Sequence, residues 1–408
     1  MIRTMARIQT FRAFRHRNFR LWFLGQTVSL FGTWMQATAQ GFLVYQLTRS
    51  PAYLGYVAFS AGTPSWLLML YGGAVADRVP RRTLLLVTQG SMMALAFLLA
   101  GLTFGGTVRP WHIVTLAFAL GIANAFDAPA RQAFVWELVS VEDLTNAVAL
   151  NAVMFNSATV VGPAAAGIVY ASLGPGWCFV FNGISFLAVI AALLSMEIRP
   201  GRDPDQGSPA PSGVGEGIRY VASHPVVRTV VLLVTSVSVF GWSLTSLMPA
   251  WAVDVLHGDA RTNGLLQAAR GLGALLGALT LATLSQQLPR GRALTLGSLL
   301  YPLLMLAFAW VWWLPGSLLL LAAIGASTIL VVNLSNALVQ TLVPDQIRGR
   351  VMGVYSLTFL GGMPLGSLLL GLAARLMGVP RAVTVAALVS LAAGIALLAL
   401  NPPLQNIR

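Results

Sequence analysis

The chain has 408 residues, 57% of them hydrophobic and only 9% charged, with a mean hydropathy of +0.77 and a formal net charge of +13. A soluble domain carries about 25% charged residues, so this much apolar surface needs lipid as its solvent. The positive charge would suit a nucleic acid, but its placement argues against one: there is no lysine, and the arginines gather at the ends of apolar runs, mostly on one side of them.

The N-terminal stretch carries six arginines within residues 3–20. It has no short apolar segment ending in small residues, so no cleaved signal peptide is expected. Apolar runs of membrane length follow at 20–45, 52–76, 83–104, 111–135, 146–171 and 176–196. The stretch 198–224 is rich in Pro, Gly, Ser and Asp and reads as a linker. Its last residues, 216–223, are expected to form a short amphipathic helix on the membrane surface. Six more runs follow at 226–250, 262–287, 292–313, 316–342, 350–376 and 380–400. The expected organisation is all-α: twelve spans in two six-helix bundles, 1–197 and 225–408, joined by a cytoplasmic linker at 198–224. Arg49, Arg109, Arg261, Arg375 and Arg381 fall on the outer side, and Arg131 and Arg270 fall inside spans. The remaining arginines lie on the other side, which the positive-inside rule makes cytoplasmic, with both termini there.

One cysteine, Cys178, excludes an intramolecular disulfide, and the isolated His16, His112, His224 and His257 show no metal-ligand spacing. No cofactor or metal is expected. No nucleophile motif or phosphate-binding loop points to an enzyme. The short linker leaves no room for a soluble sensor domain, which argues against a non-transporting sensor.

The halves resemble each other. Ser29-Leu-Phe-Gly32 matches Ser238-Val-Phe-Gly241, and Ala133-Phe-Val-Trp-Glu-Leu-Val139 matches Ala337-Leu-Val-Gln-Thr-Leu-Val343. Equivalent helices six apart suggest two parallel repeats with a site between them at mid-membrane.

Gly73-x-x-x-Asp77-Arg78-x-x-Arg81-Arg82, between the second and third spans, resembles the loop signature of the major facilitator superfamily, with Pro80 where that pattern usually has glycine. Gly162-Pro163-x-x-x-Gly167 in the fifth span is similar to the pattern of its antiporters. Residues 25–36, 127–132 and 146–151 resemble the branch that contains enterobactin-exporter and macrolide-efflux proteins. The resemblance implies a monomeric exporter in the inner (plasma) membrane of a bacterium. It would move small amphipathic molecules, drugs or siderophores, by alternating access with protons as coupling ion. A lysophospholipid transporter is the alternative within transport.

The residues support this with a chemistry of their own. Asp77 lies near the lipid boundary, where a charge needs a partner. Asp127 lies about 24 Å along its span, a depth expected to bring it close to the cytoplasmic turn of the second span. Arg131 is one turn further on the same face. Gly73, Asp77, Arg78, Arg81, Arg82, Asp127 and Arg131 therefore form a candidate gate network; the plainer reading is topology alone. In the resembled family the loop aspartate faces the start of the eleventh span, here near Val351 to Gly353. Asp127 is also the carboxylate within a span that could carry the coupling proton. Gly162, Pro163 and Gly167 are expected to let the fifth span rock against Gly271, Gly273 and Gly277 of the eighth; the plainer reading is packing. Gln26, Ser29, Thr33, Gln36 and Gln40 share one face of the first span, with Trp34 and Phe31 beside it. That face suits substrate contact by Gln36, Gln40 and Trp34, or interhelical hydrogen bonding. Asn156, Asn333 and Asn336 are further substrate candidates. Arg270, with Gln267 on the same face, is expected to bind an anionic or carbonyl-rich substrate or to pair with Asp254.

Overall fold

The computed structural model describes residues 11–197, 214–284 and 289–401. Most of the expected linker, 198–213, and the terminal arginines before residue 11 and at Arg408 lie outside the described residues.

The described elements are helical. In the first half they are α1 (Arg17–Thr48), α2 (Pro51–Arg78), α3 (Arg81–Phe104), α4 (Pro110–Leu138), α5 (Leu144–Leu173) and α6 (Pro175–Ser195). The short α7 (Val214–Ser223) follows, where the amphipathic pattern placed it. It packs on the start of α13 rather than lying alone: Glu216 pairs with Arg350, and Gly217 lies against the Arg350 carbonyl. The second half comprises α8 (Pro225–Ser236), the single-turn α9 (Met248–Ala250), α10 (Ala260–Leu284), α11 (Arg290–Ala309), α12 (Leu314–Leu342), α13 (Asp345–Met377) and α14 (Val379–Ala399).

Between α8 and residue 255 the chain stays helical but changes pitch. Wide π-turns at Val237–Trp242 and Trp251–Val255 flank a tighter turn at Ser243–Leu247. The seventh span is thus Pro225–Val255, longer than the expected 226–250. The ninth ends early, at Ala309, where Trp310-Val-Trp-Trp313 turns before Pro315.

Ten helices among the described residues are long and apolar enough to cross a membrane. The first two are long enough but more polar. α1 carries Gln26, Gln36, Gln40 and Gln46, and α2 is interrupted by Gly62-Thr63-Pro64-Ser65-Trp66. Large apolar side chains cover the outside, as a lipid solvent requires. Trp111, Trp177, Trp310, Trp312 and Trp313 are exposed near the ends of spans, an aromatic belt at one interface.

The repeat extends beyond the matched heptapeptides. α4 and α12 are both 29 residues long, α6 and α14 both 21, and members of each pair start 204 residues apart. Gly174 and Gly378, also 204 apart, turn the chain into α6 and α14 with φ of 93° and 85°. A side chain at either would be strained.

α1 to α6 pack on one another, and so do α8 to α14; two seams join the sets, α2 on α13 and α5 on α10. Both are built on glycine. A Cβ at Gly55 would stand 2.7 Å from the Ser367 carbonyl oxygen, and one at Gly371 2.8 Å from that of Pro51. A Cβ at Gly264 would stand 2.5 Å from the Pro163 carbonyl oxygen, and one at Gly271 the same distance from that of Thr159. The first seam runs from Pro51 to Trp66, which lies against Gly361, and then opens. Gly73 of α2 and Gly349 and Gly353 of α13 have nothing within 4 Å of a Cβ position. The two seams are therefore tightly packed at the end where α2 and α10 begin, and at the end where α2 stops these glycines have no close neighbour among the described residues.

Candidate functional site

The seams and the six-helix sets enclose a cavity of about 400 Å³. One wall is the α1 stripe: Ser29, Thr33, Gln36 and Gln40 all line it. Gln26, a turn further down, is buried outside it. α3 adds Gln89, α4 adds Asn124, Asp127 and Arg131, and α6 adds Asn182. Thr245, Ser246, Gln267 and Met363 come from the other half. A second cavity of about 270 Å³ adjoins it and shares Trp34, Phe155, Thr245 and Gln267; Asn156, Trp242 and Arg270 complete it. Trp34 and Phe155 meet edge to face at 5.9 Å.

Asp127 is almost fully buried. Its carboxylate accepts hydrogen bonds from the Thr88 hydroxyl and the Gln89 amide, both at 2.9 Å, and faces the Arg131 Nε at 3.7 Å. Two hydrogen-bond donors and a cation at 3.7 Å meet the cost of burying its charge. Asp127 and Arg131, one helical turn apart, thus stand together within α4. Thr88 and Gln89 were missed because α3 comes against α4 only in the folded chain. The expected approach to Asp77 is not seen. Asp127 stands at the height of Gly72, which packs on the Ala125 carbonyl, and its side chain turns toward α3.

The loop separates into two behaviours. Arg81 donates to Glu137 at 2.8 Å and to the Ala133 carbonyl at 3.2 Å, while Arg82 donates to the Leu194 carbonyl at 3.0 Å. These contacts tie the two-residue turn Val79-Pro80 to the ends of α4 and α6. Asp77 and Arg78 are exposed and have no hydrogen-bond or ion-pair partner among the described residues. Their expected partner is also displaced. Residues 351–353 lie two turns inside α13, because Pro344 caps that helix and starts it at Asp345, and Asp345 already pairs with Arg348. At the same end Asp143, before α5, is gripped by Arg12 at 3.0 Å, Arg15 at 2.6 Å and His16 at 2.8 Å.

The fifth-span motif divides in the same way. Gly167 and the Pro163 carbonyl face α10, meeting Ala260 and Gly264. Gly162 faces α1 at Phe31 and Trp34. The eighth-span small face is therefore Gly264 and Gly271, whereas Gly273 and Gly277 pack on Ala322 and Ala326 of α12. Spacing alone did not separate these faces, since 264, 271 and 273 all lie within a few turns.

The substrate candidates are also sorted. Gln36 lines the larger cavity and accepts from the Asn182 amide at 2.7 Å, so contact with the cavity and interhelical bonding coexist. Gln40 and Trp34 line it as well. Asn156 lines the smaller cavity, its amide held by the Ala152 carbonyl at 2.8 Å. Gln267 lines both, accepts from Thr38 at 3.3 Å and donates to Asn263 at 3.2 Å. Asn333 and Asn336 are not brought to this site. They border a separate recess of about 500 Å³ between α12 and α13.

Arg270 does not pair with Asp254, so the structure does not take up that alternative. Asp254 accepts the Tyr45 hydroxyl across the tightly packed end, from α1 to the second π-turn. The Arg270 guanidinium instead stands 5.0 Å over the Trp242 ring, and its buried Nε has no hydrogen-bond partner among the described residues. Among the described residues no cluster of three His, Cys, Asp or Glu could hold a metal.

A multi-pass helical protein with a largely apolar cavity, set with a few polar groups, between two packed halves is built as a membrane transporter, and the comparisons agree. A family profile described as transmembrane secretion effector matches residues 8–407, and the chain belongs to that family, within the major facilitator superfamily of transporters. It is 25% identical over 367 residues to the staphyloferrin A transporter of Staphylococcus aureus, covering 88% of this chain and 90% of that one. It is 26% identical to the enterobactin exporter EntS of Citrobacter koseri (87% and 85% covered) and to the multidrug efflux pump Tap of Mycolicibacterium fortuitum (83% and 85%). Solved structures share the fold. The nucleoside transporter NupG superposes with a TM-score of 0.76 at 13% identity, covering 94% of this chain and 99% of that one. A bacterial homologue of the lysosomal transporter Spinster, inward-facing, superposes with a TM-score of 0.70 at 15% identity, covering 95% of each.

Proposed function

We propose that the chain is a secondary active exporter of small amphipathic organic molecules, working by alternating access with proton antiport. The observation that carries this reading is the cavity itself: an apolar lining set with polar groups from α1 and α4, aromatic at Trp34 and Phe155, and tightly packed at the end where α2 and α10 begin. Relatives named as a staphyloferrin A transporter, an enterobactin exporter and a multidrug efflux pump support this substrate class. In this reading the chain makes twelve spans as a monomer, with halves 1–197 and 225–408 and the linker 198–224 in the cytoplasm. α1 and α2 cross the membrane despite their polarity because their polar groups face the cavity and neighbouring helices. The arginine-rich end is cytoplasmic, in the inner membrane of a bacterium, so the end where α2 stops faces the cytoplasm. Loading occurs there. Rocking about the glycine seams then closes that end, with Gly73 and Asp77 meeting the start of α13 and Asp77 and Arg78 gaining their partners.

Asp127 carries the coupling proton. It lines the cavity, and protonation would release its hold on Arg131 and on the Thr88 and Gln89 donors of α3. The test is Asp127→Asn in reconstituted vesicles with an imposed proton gradient, using ethidium as cargo. Uphill transport should fall at least tenfold, while downhill ethidium equilibration persists. Undiminished uphill transport by the variant would refute the role of Asp127, and no gradient-driven transport by the parent protein would refute the exporter reading.

A further inference from the structure

We infer that Arg270 and Trp242 form a subsite for the carboxylate of an aromatic acid, so that organic monoanions with a flat apolar body are among the cargo. The inference rests on the exporter reading above and names the substrate class for its cavity.

Arg270 is a cation at membrane depth, where a charge needs a counter-charge. No ion pair is formed by Arg270 among the described residues, and its Nε is a buried donor without an acceptor. Asp254, the carboxylate closest to it along the chain, is taken by Tyr45. Asp127, the carboxylate lining the larger cavity, is engaged by Thr88, Gln89 and Arg131. The two cavity arginines are therefore unlike: Arg131 is neutralised within the protein, and Arg270 is left to a ligand.

Trp242 holds the guanidinium without using it up. A cation–π contact occupies no hydrogen-bond donor, so the terminal N–H groups stay available to grip a carboxylate from two sides. Trp242 closes the π-turn Val237–Trp242, the type of helix irregularity that collects at functional sites. Across the 270 Å³ cavity, Trp34 and Phe155 offer ring surfaces for a flat body. The charge is matched to one negative unit. Among the described residues the cavity holds a single cation, and its other polar groups, such as Asn156, Gln267 and Thr245, are neutral. A phosphate dianion would leave net charge behind; a carboxylate would not.

The test is calorimetric titration of the purified full-length protein with 2-naphthoate and with its neutral counterpart 2-naphthamide. The parent protein should bind the acid at least tenfold more tightly than the amide. Arg270→Gln should abolish that preference by lowering acid affinity far more than amide affinity, and Arg270→Lys, which keeps the charge but loses the fork, should recover part of it. Thermal melting of each variant guards against misfolding, with Arg270→Lys as the informative variant if Arg270→Gln does not fold. An unchanged preference in Arg270→Gln, or equal loss of acid and amide, overturns the proposal. Titration with sodium chloride forms the second arm: chloride that binds the parent protein and removes the preference would make this an inorganic-anion site and overturn it. Ethidium transport by the parent protein, measured in parallel, reports on the exporter reading alone, so the two failures are distinguishable.

Discussion

Gly264→Ala probes whether the tightly packed end is a switchable seam. The added methyl would sit 2.5 Å from the Pro163 carbonyl oxygen, 2.9 Å from the Gly167 Cα and 3.0 Å from the Gly167 amide nitrogen. All three are backbone atoms, so no side chain can swing aside. Ordinary contact begins near 3.4 Å, so α5 and α10 must separate by roughly 1 Å. Overpacking of this kind costs about 1–3 kcal/mol. The cost falls on the state in which this seam is closed and is relieved when it opens, which shifts the equilibrium between states by about 5- to 150-fold. Spin labels at the exposed Ser172 and Arg261, which flank the seam, would report it by double electron–electron resonance. The long-distance population should rise in Gly264→Ala. Gly90→Ala, where a Cβ meets nothing within 4 Å, should leave the distribution unchanged. A distribution in Gly264→Ala identical to the parent's, in a protein with a lowered melting temperature, would refute the reasoning: the glycine would then be needed for packing in every state.

Two further substitutions test the two ends separately. Tyr45→Phe removes the hydroxyl bonded to Asp254 across the tightly packed end, a net loss of about 0.5–1.5 kcal/mol, and should shift the same spin-label distances toward opening with no change in membrane insertion. Asp77→Asn touches nothing in the conformation seen here, so thermal stability should stay within about 0.5 kcal/mol of the parent, yet vesicle transport should fall severalfold because the closed cytoplasmic state loses its latch. Parent-level transport rates in that variant would sink the latch.

Much of the architecture was legible in the chain. The apolar runs fall on helices because a backbone in lipid must satisfy its own hydrogen bonds, and a helix is the structure a single run can form. The loop Gly73 to Arg82, the polar stripe of α1 and the paired Asp127 and Arg131 were equally readable, since each depends on spacing within one or two turns. Glu137, Thr88, Gln89, Asn182 and Trp242 were not, because each enters the site from a different helix and carries no local pattern. Gly264 was overlooked beside Gly271 for a related reason: helical spacing marks a small face without saying which neighbour it meets.

The sequence by itself determined that the protein is an all-helical membrane protein with duplicated halves, where its charges lie along the chain, and to which superfamily it belongs. The first two follow from composition, run length and the internal repeat; the superfamily follows from the resemblance of its motifs to a known family. The tertiary structure alone decided which charges are satisfied. Asp254 went to Tyr45, Arg81 to Glu137 and Asp127 to α3, leaving Asp77, Arg78 and Arg270 without an ion-pair partner among the described residues. Pairing between charges is set by which helix faces come within about 4 Å of one another, and that depends on how all the helices pack together, which no single helix encodes.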